Sequence, residues 1–235
     1  MDLGLKGKKA IVTGATKGIG RRIVDLLADE GVDIALCARD EGEVQDAVKA
    51  LSAKGVKATG RAVNVKKKED YEKWLSDAAE ELGGCDIFVP NVSAGGGMDS
   101  EKNWWNNFEI DVLGTVRGCE TLMPHLKKSG SGSIIVVSST NALEFFIGPM
   151  AYNAMKAALI NYTKQLSQTV ARKGVRVNAI CPGPVYFEGG AWEMIKGAMP
   201  DLYNDAIAKI PRGEMASPEE IANVVAFLAS PASSA

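Results

Sequence analysis

Short apolar runs and amphipathic stretches take turns along the whole of this chain. Ala10-Ile11-Val12 is strand-sized, and a glycine-rich turn follows it. Ile19, Ile23, Leu26 and Leu27 then fall on one helical face. Asp33 to Ala38, Val56 to Val65, Ile87 to Val89, Ile134 to Val137 and Val175 to Ile180 read as further strands. Between them, Val44, Val48 and Leu51 repeat at helical spacing, as do Tyr71, Leu75, Ala78 and Leu82. Longer helices are expected from Trp104 to Leu126 and from Tyr152 to Arg172. Strands apolar on both faces must be covered on both faces. The alternation therefore predicts an α/β fold: one doubly wound parallel sheet with helices on both faces, in a single domain over residues 1–235. The last helix has a strong start in Ser217-Pro218-Glu219-Glu220, with Ser at the N-cap and Glu three residues on.

Charge and cysteine usage narrow the class of partner. A net charge of -2 gives no reason to expect nucleic acid or an anionic membrane. No apolar run reaches membrane-spanning length, and no signal-length stretch follows Met1, so a cytoplasmic protein is expected. Cys37, Cys85, Cys119 and Cys181 are scattered and are expected as free thiols in a reducing compartment. The single histidine, His125, argues against a His-based metal site, so no metal is expected.

Thr13-Gly14-Ala15-Thr16-Lys17-Gly18-Ile19-Gly20 sits between the first strand and the first helix. Glycine suits a turn where backbone must approach phosphate with no Cβ in the way. The helix beyond it offers free N–H groups to a pyrophosphate. The expected fold is thus of the Rossmann type, with Gly14, Thr16, Lys17, Gly18, Ile19 and Gly20 against a dinucleotide. An acid at the end of the second strand would select NAD, but that strand ends Cys37-Ala38-Arg39. Arg39 can fork onto a 2′-phosphate, and Lys17 can approach the same group. NADP(H) is therefore expected over NAD(H). Asp40 lies one or two positions too late to act as the NAD-type acid.

Near the middle of the chain, Tyr152 and Lys156 stand four apart at the start of a helix, sharing a face. A Tyr-x-x-x-Lys pair alone carries little weight; its context carries more. A nearby ammonium favours the phenolate, and so helps a tyrosine trade protons at neutral pH. Ser139 ends the apolar run before it, at the carboxyl edge of a central strand, where open parallel sheets bind ligands. Its hydroxyl can hold a substrate oxygen while Tyr152 gives or takes a proton.

These residues together resemble the short-chain dehydrogenase/reductase family over nearly the whole chain. The Thr13-Gly14-x-x-x-Gly18-x-Gly20 turn, Ser139 with Tyr152-x-x-x-Lys156, and Val177-Asn178-Ala179-Ile180-Cys181-Pro182-Gly183 occur in the family's order. The resemblance implies a carbonyl/alcohol oxidoreductase, with Ser139, Tyr152 and Lys156 catalytic and with Tyr152 and Lys156 also touching the cofactor. Pro182, Gly183 and Val185 would line the nicotinamide, and Asn64, Val65 and Asn91 would border the nucleotide. A homodimer or homotetramer is implied as well.

There are departures from the family pattern. Asn-Asn-Ala-Gly is replaced by Pro90-Asn91-Val92-Ser93, and the adenine-side acid by Asn64. Asp111 stands where the family has the asparagine of its catalytic tetrad, which helps hold a helix distortion and a water leading to the lysine. A carboxylate there is expected to keep the relay with altered pH dependence, so Asp111 joins the catalytic set. The family's C-terminal edge strand is expected to be absent from this chain.

A substrate lid is expected over about 186–212, with Tyr186 and Trp192 joining Phe145, Phe146 and Ser93 around an apolar pocket. Lid and interface packing would explain the same aromatics. Gly95-Gly96-Gly97 is expected as a mobile loop or a simple turn. The substrate is then a small hydrophobic ketone or secondary alcohol, or alternatively a 3-oxoacyl thioester. Lys127, Lys128, Arg172 and Lys173 are candidates for a face that would dock a carrier protein. A non-catalytic NADP(H)-sensing protein is the remaining alternative.

Overall fold

The computed structural model describes residues 2–96 and 100–234. Elements follow the chain as β1 (Lys9–Thr13), α1 (Gly18–Asp29), β2 (Asp33–Ala38), α2 (Glu41–Ser52), β3 (Ala58–Ala62), α3 (Lys68–Leu82) and β4 (Ile87–Val89). Then come α4 (Glu101–Asn107), a π-helical segment (Phe108–Leu113), α5 (Gly114–Lys128), β5 (Gly132–Val137), a short 3₁₀ turn (Thr140–Ala142) and α6 (Ala151–Val170). A second 3₁₀ turn (Ala171–Lys173), β6 (Val175–Ile180), α7 (Ala191–Ala198), α8 (Pro200–Lys209), α9 (Pro218–Ala229) and a terminal 3₁₀ turn (Pro231–Ser233) complete it.

The six strands form one parallel sheet in the order β3-β2-β1-β4-β5-β6. Side chains alternate between its faces. Ala10, Val12, Ile34, Leu36, Ile135 and Val137 enter a core with α1, α2 and α9. Ile11, Ala35, Cys37, Ile134 and Val136 enter a second core with α3, α5 and α6. The inner strands β1, β2, β4 and β5 are thus sealed on both sides, as their unbroken apolar character requires, while the edge strand β3 leaves Arg61 exposed.

Two expected elements differ. The third strand is shorter than Val56–Val65, because only Ala58–Ala62 pair with β2 and the chain then turns through Asn64 toward α3. The expected single helix from Trp104 to Leu126 is instead interrupted at Phe108–Leu113 by the π-helical segment. One wide turn there rotates the chain so that Asp111 points inward, and Thr115 Oγ1 donates to the Asp111 carbonyl at 2.7 Å.

The C-terminal helix is held at both ends. At its start the capping box forms: Glu220 N donates to Ser217 Oγ and Glu220 Oε2 accepts from Ser217 N. Arg212 grips the same carboxylate through both oxygens, and together these partners bring the Glu220 carboxyl down to about 2. At its end, Arg176 from β6 donates to the carbonyls of Leu228, Ala229 and Ser230 and to the Ser233 hydroxyl, at 2.7–3.4 Å. Replacing Arg176 with methionine keeps the aliphatic stem and strips these charged bonds from half-buried carbonyls. We expect a loss of about 2 kcal/mol. Urea denaturation reads it directly, and an unshifted midpoint at constant slope would contradict this role.

Candidate functional site

The order of the sheet reverses between β1 and β4, so the chain leaves that point in opposite directions and opens a crevice at the carboxyl edge. Two side chains tie the crevice together. Asn91, just after β4, donates from its amide to the carbonyls of Thr13 (3.1 Å) and Gly14 (2.9 Å). Thr13 Oγ1 accepts from the backbone N–H of Asn91 and of Val92. The glycine turn is thereby fixed to the neighbouring strand.

That turn fits a dinucleotide. A Cβ at Gly20 would lie 2.2 Å from the Gly14 carbonyl oxygen, so no side chain is possible there. Gly18 has φ +52°, and the Phe187 ring lies where its Cβ would be. The first turn of α1 has neither a side-chain cap nor an acidic residue. Its N–H groups and dipole are left for an anion such as a pyrophosphate. Ile19, half-buried, follows Gly18 in that first turn.

At the end of β2, Arg39 is exposed. Asp40 caps α2, its Oδ1 accepting from Glu43 N at 2.9 Å. Lys17 pairs with Glu43 at 2.6 Å, and Thr16 Oγ1 donates to the other oxygen of Glu43 at 3.0 Å. Asn64 is exposed, its Oδ1 accepting from Lys66 N, while Val65 is buried against Gly114.

The catalytic candidates converge at the ends of β5 and α6. Ser139, 7% exposed, follows β5 and caps the short turn after it, its Oγ accepting from Asn141 N at 3.2 Å. Its neighbour Ser138 donates to the Lys156 carbonyl at 2.8 Å, which fastens the strand end to α6. Lys156 is 2% exposed. Its Nζ donates to the Val137 carbonyl at 2.9 Å, lies 3.0 Å from Asp111 Oδ1, and sits 5.6 Å from the centre of the Tyr152 ring. An ammonium has three donors: the Val137 carbonyl takes one, and Asp111 Oδ1 balances the charge at ion-pair distance without hydrogen-bond geometry.

Asp111 explains its own presence. Its Oδ2 accepts from Ala94 N at 2.8 Å while Oδ1 faces Lys156. Both partners are donors. An asparagine amide would turn its donor end toward one of them; a carboxylate bonds the Ala94 N–H and sets its other oxygen at ion-pair distance from the ammonium. The residue is 1% exposed, and a charge so deeply buried needs this pairing.

The segment after β6 folds back over the crevice. Thr140 N donates to the Pro182 carbonyl, Gly183 is exposed, and buried Val185 bridges to Ala216. Phe146 meets Trp192 edge-on at 6.0 Å, Trp192 meets Tyr203 at 6.4 Å, and Tyr203 meets Tyr186 at 6.3 Å. Lys196 Nζ sits over the rings of Tyr186 and Tyr203. The structure thus joins Phe146, Tyr186 and Trp192 in one aromatic row. Phe145 is 87% exposed and stands apart from that row. Ser93 is exposed, with its Oγ accepting from Gly95 N. Gly97 of the triple glycine lies outside the described residues.

Lys127, Lys128, Arg172 and Lys173 fall at the opposite edge. They end α5 and follow α6, before β5 and β6 begin, so the length of a strand, roughly 20 Å, separates them from the crevice. Glu43 was not anticipated by sequence reasoning. Its signal was there: it occupies the N3 position after the Asp40 cap, where a glutamate reaches back in a capping box.

Comparison with known proteins decides the family. The family model described as "Enoyl-(Acyl carrier protein) reductase" matches residues 14–235. Isoepoxydon dehydrogenase patN of Penicillium expansum is 37% identical over 238 residues, covering 100% of this chain and 92% of the relative. The chain belongs to the short-chain dehydrogenase/reductase family. The 3-oxoacyl-[acyl-carrier-protein] reductase FabG of Vibrio cholerae is 34% identical, covering 97% of this chain and 92% of the relative. The crystal structure of L-sorbose reductase from Gluconobacter frateurii, complexed with NADPH and L-sorbose, superposes with a TM-score of 0.89 at 31% identity, covering 98% of this chain and 92% of that one. As a member of the family, the chain is an oxidoreductase acting between CH–OH and C=O. Among the described residues no group of acids, histidines and cysteines could hold a metal, and no helix is long and apolar enough to cross a membrane. Cys37, Cys85 and Cys119 are buried free thiols, and desolvation pushes Cys37 and Cys119 up to about 12.

Proposed function

We propose that this protein interconverts a ketone and a secondary alcohol on a small hydrophobic molecule, using NADP(H), with Tyr152 as general acid/base. One observation carries the reading: a buried lysine, held by a carboxylate and a strand-end carbonyl, lies beneath a tyrosine ring, on a helix that Ser138 fastens to the strand end preceding Ser139. The nicotinamide cofactor, when bound, supplies or accepts the hydride. Ser139 holds the substrate oxygen by its hydroxyl. Tyr152 gives that oxygen a proton in reduction and removes it in oxidation. A Lys156 donor not taken by the Val137 carbonyl would serve a ribose hydroxyl, which would couple cofactor placement to proton transfer by the phenol. Arg39 and Lys17 supply the preference for a 2′-phosphate. The row of Phe146, Trp192, Tyr203 and Tyr186 makes the region over the crevice apolar, which suits a cyclic, aromatic or acyl group.

A second reading, reduction of a 3-oxoacyl thioester, is favoured by the likeness to 3-oxoacyl-[acyl-carrier-protein] reductase. The four cations once suited to docking a carrier stand at the wrong edge, which turns this reading toward a thioester that diffuses in freely. A homodimer or homotetramer is expected, and light scattering would measure it.

A panel of purified protein with NADPH or NADH against cyclic ketones, aryl ketones and acetoacetyl thioester separates the readings. Turnover of ketones with NADPH is the expected result. Turnover of the thioester alone moves the assignment to the second reading. Cofactor binding without turnover of any substrate, unchanged in Tyr152→Phe, identifies an NADP(H) sensor instead.

A further inference from the structure

The two cations expected to greet a 2′-phosphate do not stand alone. Three carboxylates share the start of α2 with them: Asp40, Glu41 and Glu43. Two of these are occupied elsewhere. Asp40 caps the helix, and Glu41 Oε2 turns toward β3 to accept from Ala62 N at 3.2 Å while its Oε1 accepts from Gln45. Glu43 is different. In α9 the glutamate at the same helical position, Glu220, reaches back to its own N-cap backbone. Glu43 instead reaches across to the glycine turn. One oxygen lies 2.6 Å from Lys17 Nζ, and the other accepts from the Thr16 hydroxyl at 3.0 Å. Both groups it holds are ones through which a dinucleotide would be bound.

We infer that Glu43 is a specificity-determining residue for the cofactor: its carboxylate competes with an adenosine 2′-phosphate for Lys17 and Thr16, and so narrows the advantage of NADPH over NADH. The inference rests on the proposed use of Lys17 and Arg39 as the 2′-phosphate site. Lys17 and Glu43 are 66% and 35% exposed, and surface pairs of this kind are weak. A phosphate can therefore displace the carboxylate from Lys17, but the carboxylate stays nearby on the rigid first turn of α2. It then opposes the incoming charge. NADH has a neutral hydroxyl at that position and meets no such opposition; the carboxylate can accept a bond from it. The ion pair also keeps the Lys17 ammonium firmly charged, its affinity for the proton raised by Glu43.

The test is direct titration of the purified protein with NADPH and with NADH, followed by nicotinamide fluorescence. In Glu43→Gln we expect NADPH to bind roughly five- to tenfold more tightly, the scale of one charge pair in water-rich surroundings. NADH should not gain, and the NADPH advantage should shrink as salt is raised. Lys17→Ala and Arg39→Ala, measured alongside, examine the phosphate site itself. If both leave NADPH binding unmoved, that site fails and the inference falls with it. If both weaken NADPH while Glu43→Gln leaves the NADPH-to-NADH ratio unchanged or lowered, the phosphate site stands and Glu43 is not its competitor.

Discussion

Replacing Tyr152 with phenylalanine is expected to lower kcat by about 10²- to 10⁴-fold, the range supplied by a positioned general acid or base. The substitution removes one oxygen. The ring stays, and with it the 5.6 Å approach to the Lys156 ammonium and the packing at the start of α6. Cofactor affinity should therefore change little, and the loss should fall on the chemical step. Single-turnover measurements with saturating NADPH isolate that step, and cofactor titration isolates binding. A variant retaining a tenth or more of the parent rate would remove Tyr152 from the proton transfer. A variant that lost its cofactor affinity equally would show that the hydroxyl serves mainly in binding.

The second large effect concerns stability. In Asp111→Ala the Lys156 ammonium remains buried with the Val137 carbonyl as its remaining partner, and Ala94 N loses its acceptor. Removing one member of a buried ion pair costs about 3–5 kcal/mol, because the other charge stays out of water without compensation. Denaturant titration should show a midpoint moved by that amount. A loss under about 1 kcal/mol would mean that water reaches Lys156 and takes the carboxylate's place. Asp111→Asn should fall between alanine and the parent, since an amide can accept from only one of the two donors. Its pH–rate profile is informative as well: a profile identical to the parent's would show that the carboxylate's charge plays no part in the proton relay.

Much of this was legible in the chain. The alternation of apolar strands and one-faced helices specifies a sheet covered on both sides, because no other arrangement buries Ile34 and Ala35 alike. Turn chemistry located the crevice, and the capping residues at Ser217 located α9 within a residue. The π-helical segment was not legible from spacing. Its local sequence makes an acceptable α-helix, and the distortion is stabilised by contacts far away in the chain, at Ala94 and Lys156. The role of Glu43 was hidden for a related reason. Its spacing from Asp40 advertises a helix cap, and only the fold brings Lys17 and Thr16 close enough to claim its carboxylate. Charges that pair between separate turns leave no periodicity to read.

The reversal of strand order between β1 and β4 also governs how the protein comes into being. Ala10 must find Ile87 before the crevice exists, whereas β1, β2 and β3 pair between near neighbours along the chain. Closing so long a loop is the entropically slow kind of event in folding. A nascent chain that has emerged only through β3 holds a complete glycine turn, yet it lacks Asn91 to anchor that turn and Ser139, Tyr152 and Lys156 to face it. Ligand cannot template the early steps. It can only reward the late one, so a dinucleotide should slow unfolding far more than it speeds the return to the native state.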